Sequence, residues 1–232
     1  VINAEKSSAI IISKRKMKNP PPLFIGDDVI NYSDEVKSLG LIIDGQLTWK
    51  AHIEKIFRES MGALHMLRQS QAFTPLKTRE LLIKALIIPK ILYCSNLFMG
   101  CARSLWQKII QIFHACLRYA YQLKKFDSLS PYRNRLLGCK IESFIHFRSC
   151  LFLFNLLKKK TPSYLYDEII FPRFQRGRLL SLPVSRQSKQ MANSFFVLGI
   201  HIWNSLSADI RILESAPVFR DSCLSYFKTK ES

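Results

Sequence analysis

The sequence predicts a mainly helical protein with a small antiparallel β element at its N-terminal end, an α+β chain. Three observations predict it. Short apolar runs broken by Gly and Pro fill residues 1–46, the apolar period changes from two to about 3.6 after Thr48, and helical stripes then recur to the end of the chain. With 48% hydrophobic residues, 16 Phe and 8 Tyr among 232 residues, the chain can bury a sizeable core.

The β element comes first. Residues 9–13 (AIIIS) form a short apolar run, 14–19 a basic loop, and Pro20-Pro21-Pro22 excludes helix there. Gly26-Asp27-Asp28, between the apolar runs 23–25 and 29–30, reads as a hairpin turn. The stretch 36–55 organises the rest of the chain: Val36, Leu39, Leu41 and Ile43 supply a strand, Asp44-Gly45 a turn, and Thr48 a cap for the next helix. About three short strands make a sheet too small to stand alone.

Helices take over from Thr48. Trp49, Ile53, Ile56, Phe57, Ala63, Leu64 and Leu67 share one helical stripe, with Lys50, Lys55, Arg58 and Arg68 largely off it. Thr74-Pro75 starts a second helix, expected to face inward through Leu81, Leu82, Ala85, Leu86 and Ile88, and Pro89 kinks or ends it before Tyr93. Residues 104–123 give a third, with Trp106, Ile109, Ile110, Phe113, Cys116, Leu117 and Ala120 on its stripe. Short connections make these a bundle. After a basic, Pro-containing break at 124–135, residues 141–157 are helical and nearly apolar all round, which places them at the centre of a second packing unit closed by Lys158-Lys159-Lys160. A short helix at 162–170, an irregular basic loop at 172–189, and helices at 194–205 and 216–228 complete the reading. The expected divisions are 1–46, 47–123 and 124–232.

Charge narrows the partners. The 35 Lys plus Arg against 17 Asp plus Glu leave +18 and a pI near 9.9. Such an excess repels itself unless a polyanion binds, which points to nucleic acid first and anionic membrane second. The basic residues concentrate at 14–18, 124–135, 158–160 and 173–189, interleaved with Tyr132, Phe171 and Phe174, where Lys and Arg suit phosphates and rings suit unpaired bases. On charge, Lys124, Lys125, Arg133, Arg173, Arg176 and Arg178 are the candidate nucleic-acid contacts. No membrane partner is expected, because Lys84, Lys90, Lys108 and Arg118 interrupt every apolar run before the ~20 residues a span needs. The N-terminus lacks the Met, basic region and cleavage site of a signal peptide, and reads as the start of a fragment. Six cysteines without a Cys-x-x-Cys pair, beside a nucleic-acid-like charge, place the chain in a reducing, intracellular compartment, nucleus or cytoplasm.

Other constellations have bland readings. Gly-Asp-Asp at 26–28 would be catalytic only with a further carboxylate ahead of it, and none precedes it at useful spacing. His146 and Cys150 at i, i+4, with Cys139 nearby and His114-x-Cys116 upstream, could offer zinc ligands, but lone cysteines more often serve as small buried hydrophobes. His52 lacks a partner base or nucleophile, so packing beside Trp49 is the expected role.

The order of residues Lys-Ser-Leu-Gly-Leu-Ile-Ile-Asp-Gly-Gln-Leu-Thr-Trp at 37–49, with His52 following, resembles the end of the palm in reverse transcriptases of non-LTR, jockey-like (LINE-type) retrotransposons. Other pieces resemble the same family in the same order. Asn3-Ala4-Glu5-Lys6-Ser7 resembles the Asn-x-x-Lys-Thr segment after the catalytic strands, Pro89 to Tyr93 (PKILY) resembles the Pro-x-x-x-Tyr of the thumb, and Asn193-Ser194-Phe195-Phe196, Trp203-Asn204-Ser205-Leu206 and Phe227-Lys228 resemble its tail, with Ser207 where Pro is usual.

The resemblance implies palm strands over 1–46 with a primer-grip-like strand in which Leu39 and Gly40 match best, a helical thumb over 47–123, and a basic helical region over 124–232. It implies that Lys6 lies near the incoming nucleotide, and that RNA template and DNA primer are the partners, beside a palm, fingers and endonuclease domain elsewhere in the parent polyprotein. The family's metal-holding aspartates would precede Asn3, so magnesium belongs to the complete polymerase, no cofactor is expected in this chain, and this chain alone is not expected to polymerise. Two other readings stay open: a stand-alone basic helical nucleic-acid-binding module, or the translation of a decayed element.

Overall fold

The computed structural model describes residues 3–13, 17, 20–169, 177–181 and 189–230. The chain is mainly helical, with two antiparallel sheets of two strands each. The first hairpin pairs β1 (Leu23–Ile25) with β2 (Asp28–Ile30) across Gly26-Asp27, where Gly26 takes a left-handed φ of 62°. The second pairs β3 (Glu35–Ser38) with β4 (Leu41–Asp44), with Ser38 opposite Leu41.

This second hairpin differs from the single strand expected over 36–43. Its two-residue loop is Leu39-Gly40, both at positive φ, 46° and 88°, which is the primed turn whose twist matches paired strands. A leucine rarely adopts that conformation, so the turn left no mark in the sequence. The two hairpins form no common sheet. Instead, residues 9–13 run between them: Ala9 bridges Tyr32 in parallel, Ser33 donates its N–H to the Ala9 carbonyl at 2.8 Å, and the Ser13 N–H reaches the Gly45 carbonyl at 2.9 Å. Position 45 takes only glycine here, because a Cβ would lie 2.6 Å from the Ile11 carbonyl oxygen.

Asp44 joins the β region to the helices. Its Oδ1 accepts from the backbone N–H groups of Gln46 (3.1 Å) and Thr48 (3.0 Å), and its Oδ2 from the Thr48 hydroxyl (3.1 Å) and the Trp49 N–H (2.9 Å). Thr48 in turn accepts from the Lys50 N–H, so the expected cap is present but secondary. The carboxylate holds the short link in which Leu47 and Trp49 both take left-handed φ, 54° and 63°. α1 (Lys50–Gln69) starts directly after it.

The helical bundle follows with α2 (Leu76–Leu86), α3 (Ile88–Leu92) and α4 (Arg103–Tyr121). The break at Ile87 between α2 and α3 comes two residues before Pro89, whose ring denies it a place inside a continuous helix. The inward face of α2 is not the expected one: Arg79 and Ile83 are buried, Leu81 is 65% exposed and Leu86 is 45% exposed. α1 lies along α4, and Ile53, Ile56 and Leu64 pack with Ile109, Ile112, Phe113, Cys116 and Leu117 in the first core.

α5 (Ile141–Lys159) belongs to both cores. Ile141 and Ile145 sit in the first, while Phe147, Cys150, Leu153, Phe154 and Leu156 sit in the second. This is why its sequence is apolar all round. The second core is closed by α6 (Ser163–Tyr166), α7 (Lys189–Ala192), α8 (Phe195–Ser205), α9 (Ala208–Arg211) and α10 (Ala216–Thr229), of which α7 and α9 had no forecast. Phe219 of α10 stacks between Phe154 and Trp203, at ring distances of 4.3 and 5.6 Å.

Replacing Asp44 with Ala strands a half-buried Trp49 N–H and removes several charge-assisted bonds, an expected loss of about 2 kcal/mol. Urea unfolding followed by far-UV circular dichroism checks this. The midpoint falls with the slope unchanged, and Thr48→Ala has the smaller effect. Equal midpoints for wild type and Asp44→Ala would contradict the capping role.

Candidate nucleic-acid interface

The candidate residues fall into separate places. Lys6 ends a single 3₁₀ turn, Ala4–Lys6, capped by Asn3, whose Oδ1 accepts the Lys6 N–H at 3.2 Å; the residue is exposed. Leu39 and Gly40 are the tip of the second hairpin. There the Leu39 side chain is 89% exposed, and its carbonyl accepts a hydrogen bond from the Tyr93 hydroxyl. Tyr93 of the PKILY segment therefore holds the tip from below, and its ring lies 3.7 Å from where a Gly40 Cβ would be. Sequence reasoning put these two segments in the same family pattern; the structure puts them in contact.

Lys124 and Lys125 lie in the turn after α4. The Lys124 N–H donates to Asp127 Oδ2 at 2.7 Å and its carbonyl accepts from Arg118, which fixes the turn's backbone. The Lys125 ammonium lies 5.5 Å from the Phe126 ring centre, and Phe126 is 91% exposed. Arg133 is half-buried, with its Nε buried and without a hydrogen-bond partner. Arg173 and Arg176 lie outside the described residues. Arg178 is described in the C-terminal unit, paired with Glu214 at 3.1 Å.

A groove of about 610 Å³ brings Lys125 together with residues that sequence reasoning missed. It opens where α1 and α4 end side by side, and Arg68, Arg118 and Lys125 line it with Gln71, Gln122 and Tyr119. None of its described lining residues is acidic. The nearest carboxylate in the turn, Asp127, is turned to the Lys124 N–H. Polar groups knit the floor: Gln71 Nε2 donates to the Tyr119 carbonyl at 2.8 Å, and the Gln71 carbonyl accepts from Arg79 Nη1 at 3.2 Å. Arg79 is only 7% exposed; its Nη1 is satisfied by that carbonyl, and its Nε has no hydrogen-bond partner. Arg118 spends its guanidinium partly on the Lys124 and Asp127 carbonyls, whereas Arg68 and Lys125 are exposed.

Sequence signals for this groove existed only at the helix ends. Arg68 and Arg118 each stand in a last helical turn, where a cation complements the terminal carbonyls. That local explanation is sufficient for each alone, and only the packing of α1 on α4 aligns the two ends.

The remaining constellations form no reactive centre. Among the described residues no group of three or more His, Cys, Asp or Glu is placed to hold a metal ion. Asp27 and Asp28 are exposed in and beside the first turn, a donor set that does not fit a catalytic magnesium pair. Cys150 is buried, and its thiol is held protonated first by a hydrogen bond with Cys223 and then by burial. Burial pushes the Cys116 thiol up to about 12 and Cys101 to about 11. Among the described residues no helix is long and apolar enough to cross a membrane.

Comparison with protein-family models, with curated proteins and with solved structures finds no match.

Buried His52 and half-buried His114 and His146 make stability pH-dependent. Burial holds His52, His114 and His146 below the usual 6.5, with Lys55, Arg133 and Lys230 respectively the leading charges acting in the same direction. The unfolded chain therefore binds protons first as pH falls, so stability is full above about 6.5 and declines below it. Thermal melts between pH 7.5 and 5 should show the melting temperature falling on the acid side. His52→Asn should flatten that decline; an unchanged pH profile in that variant would contradict the assignment to His52.

Proposed function

We propose that this chain is the thumb and C-terminal helical region of a non-LTR retrotransposon reverse transcriptase, with the last strands of its palm. Its role is to hold RNA template and DNA primer in the nucleus or cytoplasm while catalytic aspartates outside this sequence carry out the chemistry. The single observation that carries the nucleic-acid part is the groove between the ends of α1 and α4, where Arg68, Arg118 and Lys125 converge with no acidic residue among its described lining. Phosphodiesters reward that arrangement, each contact releasing condensed counterions. Elsewhere on α1, α3 and α4 some cations face carboxylates, as in Lys55–Glu59, Lys90–Glu59 and Lys108–Glu54, whereas no described carboxylate lines the groove.

Support for the polymerase part comes from the motif order and from the tip Leu39-Gly40. A large apolar side chain held 89% exposed on a strained turn is poor design for stability alone and suits contact with a primer terminus. The stand-alone binding module shares the groove and lacks any use for the tip.

Binding of an RNA/DNA primer-template as a function of salt tests both parts. In the double variant Arg68→Ala/Lys125→Ala, affinity at moderate salt should fall about tenfold or more, and the log–log salt slope should shrink by roughly 2. An unchanged slope would remove the groove from the interface. Leu39→Asn should raise unfolding stability by about 1 kcal/mol, since Asn tolerates the left-handed turn, while reducing the preference for primed duplex over single strand. Wild-type binding without such a preference would favour the stand-alone module.

A further inference from the structure

α5 and α10 run antiparallel through the second core, and their facing side chains form a ladder. His146 of α5 lies against Phe227 of α10 with ring centres 6.3 Å apart, and Phe154 stacks on Phe219 at 4.3 Å with the rings inclined by 17°. Each four-residue step along α5 is met by a four-residue step back along α10, about one helical turn at a time. The rung between these two ring pairs is Cys150 opposite Cys223. Both residues are fully buried, and their thiols share a hydrogen bond.

The surroundings of this rung are apolar. Phe147, Leu153, Phe154, Phe219 and Phe227 belong to the same core. A cysteine that reacts alone does so from an electropositive, partly exposed setting, and this pair has the opposite one. The spacing of His146 and Cys150 serves the ladder: the imidazole is met by the Phe227 ring, and no group of three or more His, Cys, Asp or Glu among the described residues is placed to hold a metal ion. Two other cysteines, Cys101 and Cys116, pack with the first core instead.

We propose that Cys150 and Cys223 are a latent disulfide site, which ties α5 to α10 when a low-molecular-weight disulfide is the oxidant. One of the two cysteines, deprotonated as the helices part, attacks a sulfur of that disulfide; a mixed disulfide forms and one small thiolate leaves. The facing cysteine, deprotonated in turn, attacks the protein sulfur of the mixed disulfide, closes the Cys150–Cys223 bond and expels the second small thiolate. The protein gives up two electrons and two protons, and the oxidant is reduced to two thiols. The product is apolar and returns to the core that held the thiols. In the reducing compartment expected from the sequence the pair stays reduced, and a more oxidising balance closes it. The bridge encloses residues 150–223, which restricts the unfolded chain and stabilises the second core. Arg68, Arg118 and Lys125 lie outside that loop, so the inference does not rest on the nucleic-acid reading.

The test is equilibration of the reduced full chain at mildly alkaline pH with graded mixtures of oxidised and reduced glutathione, with and without urea below the unfolding midpoint. Alkylation, intact mass and peptide mapping follow. The alkylatable thiols should fall from six to four, with a mass loss of about 2 Da and a cross-linked peptide pair carrying Cys150 and Cys223. Sub-denaturing urea should speed the reaction, because opening precedes attack. The oxidised chain should melt several degrees higher than the reduced one, and dithiothreitol should return it to the starting value. Cys150→Ala and Cys223→Ala should each abolish the bridge and the gain in melting temperature. Cys94→Ser/Cys101→Ser should keep both. Cys150 and Cys223 remaining alkylatable under excess oxidised glutathione in both solvents would overturn the proposal. So would a bridge from either one to a different cysteine, or a bridged chain that melts no higher than the reduced one.

Discussion

The Asp44 carboxylate is the joint on which the arrangement of the molecule depends. Four donors between Gln46 and Trp49 converge on its two oxygens, and they force the chain to turn from the second hairpin directly into α1. Without that turn the hairpin would have no fixed direction relative to the bundle. With it, the Leu39-Gly40 tip lands on Tyr93, and His52, in the first turn of α1, receives the Ile42 N–H on Nδ1 at 3.4 Å while packing on Phe98. The two small sheets are too short to hold themselves together. Their position is set by one side chain at the end of β4 and by the crossing segment 9–13.

A second constraint links the cores. α5 passes from one to the other, and its only buried polar side chain, Ser149, is satisfied by the Ile145 carbonyl at 3.0 Å and by Asn96 Oδ1 at 2.8 Å. The hydroxyl therefore ties the centre of α5 to the 3₁₀ turn Ser95–Phe98 that follows α3. Close to it, a Cβ at Gly100 would lie 2.0 Å from the Asn193 carbonyl oxygen, so backbone meets backbone where the bundle adjoins α8. Both contacts are polar and specific in register. They set how the two packing units lie against each other, while the apolar surface of α5 supplies the adhesion.

Much of this was legible because period and punctuation are local. The helices of the bundle and α5, α8 and α10 follow from stripes, prolines and a cationic helix end, and the all-round apolarity of α5 foretold its central place. The features that were not legible depended on contacts distant in sequence. The turn at Leu39-Gly40 was hidden because leucine is a poor turn residue, and its support comes from Tyr93, more than fifty residues on. The inward face of α2 differs from the leucine stripe because Ile83 fills the core and Arg79 on the same face reaches the Gln71 carbonyl, which leaves Leu81 and Leu86 exposed. The groove was invisible for the same reason. Arg68 and Arg118 stand in separate helices, each with an ordinary local explanation, and only the packing of α1 against α4 sums their fields.

That summation distinguishes the groove from the loops that net charge singles out. A count of Lys and Arg favoured loops such as 124–135, yet within that stretch the Arg133 Nε is buried without a partner and the Lys124 backbone is committed to its own turn. Cations at the last turns of α1 and α4 are different in kind. Their backbones are fixed by helices, and no described carboxylate lines the groove to compete for them. Charges whose backbones are held by helices favour an anion more than the same charges on a flexible segment, because less freedom is lost when the anion binds. The repulsion between them is already met by the packing of α1 on α4. A phosphate backbone entering the groove would relieve it, so in the proposed role the packing that stabilises the bundle core would also favour a polyanion at its end.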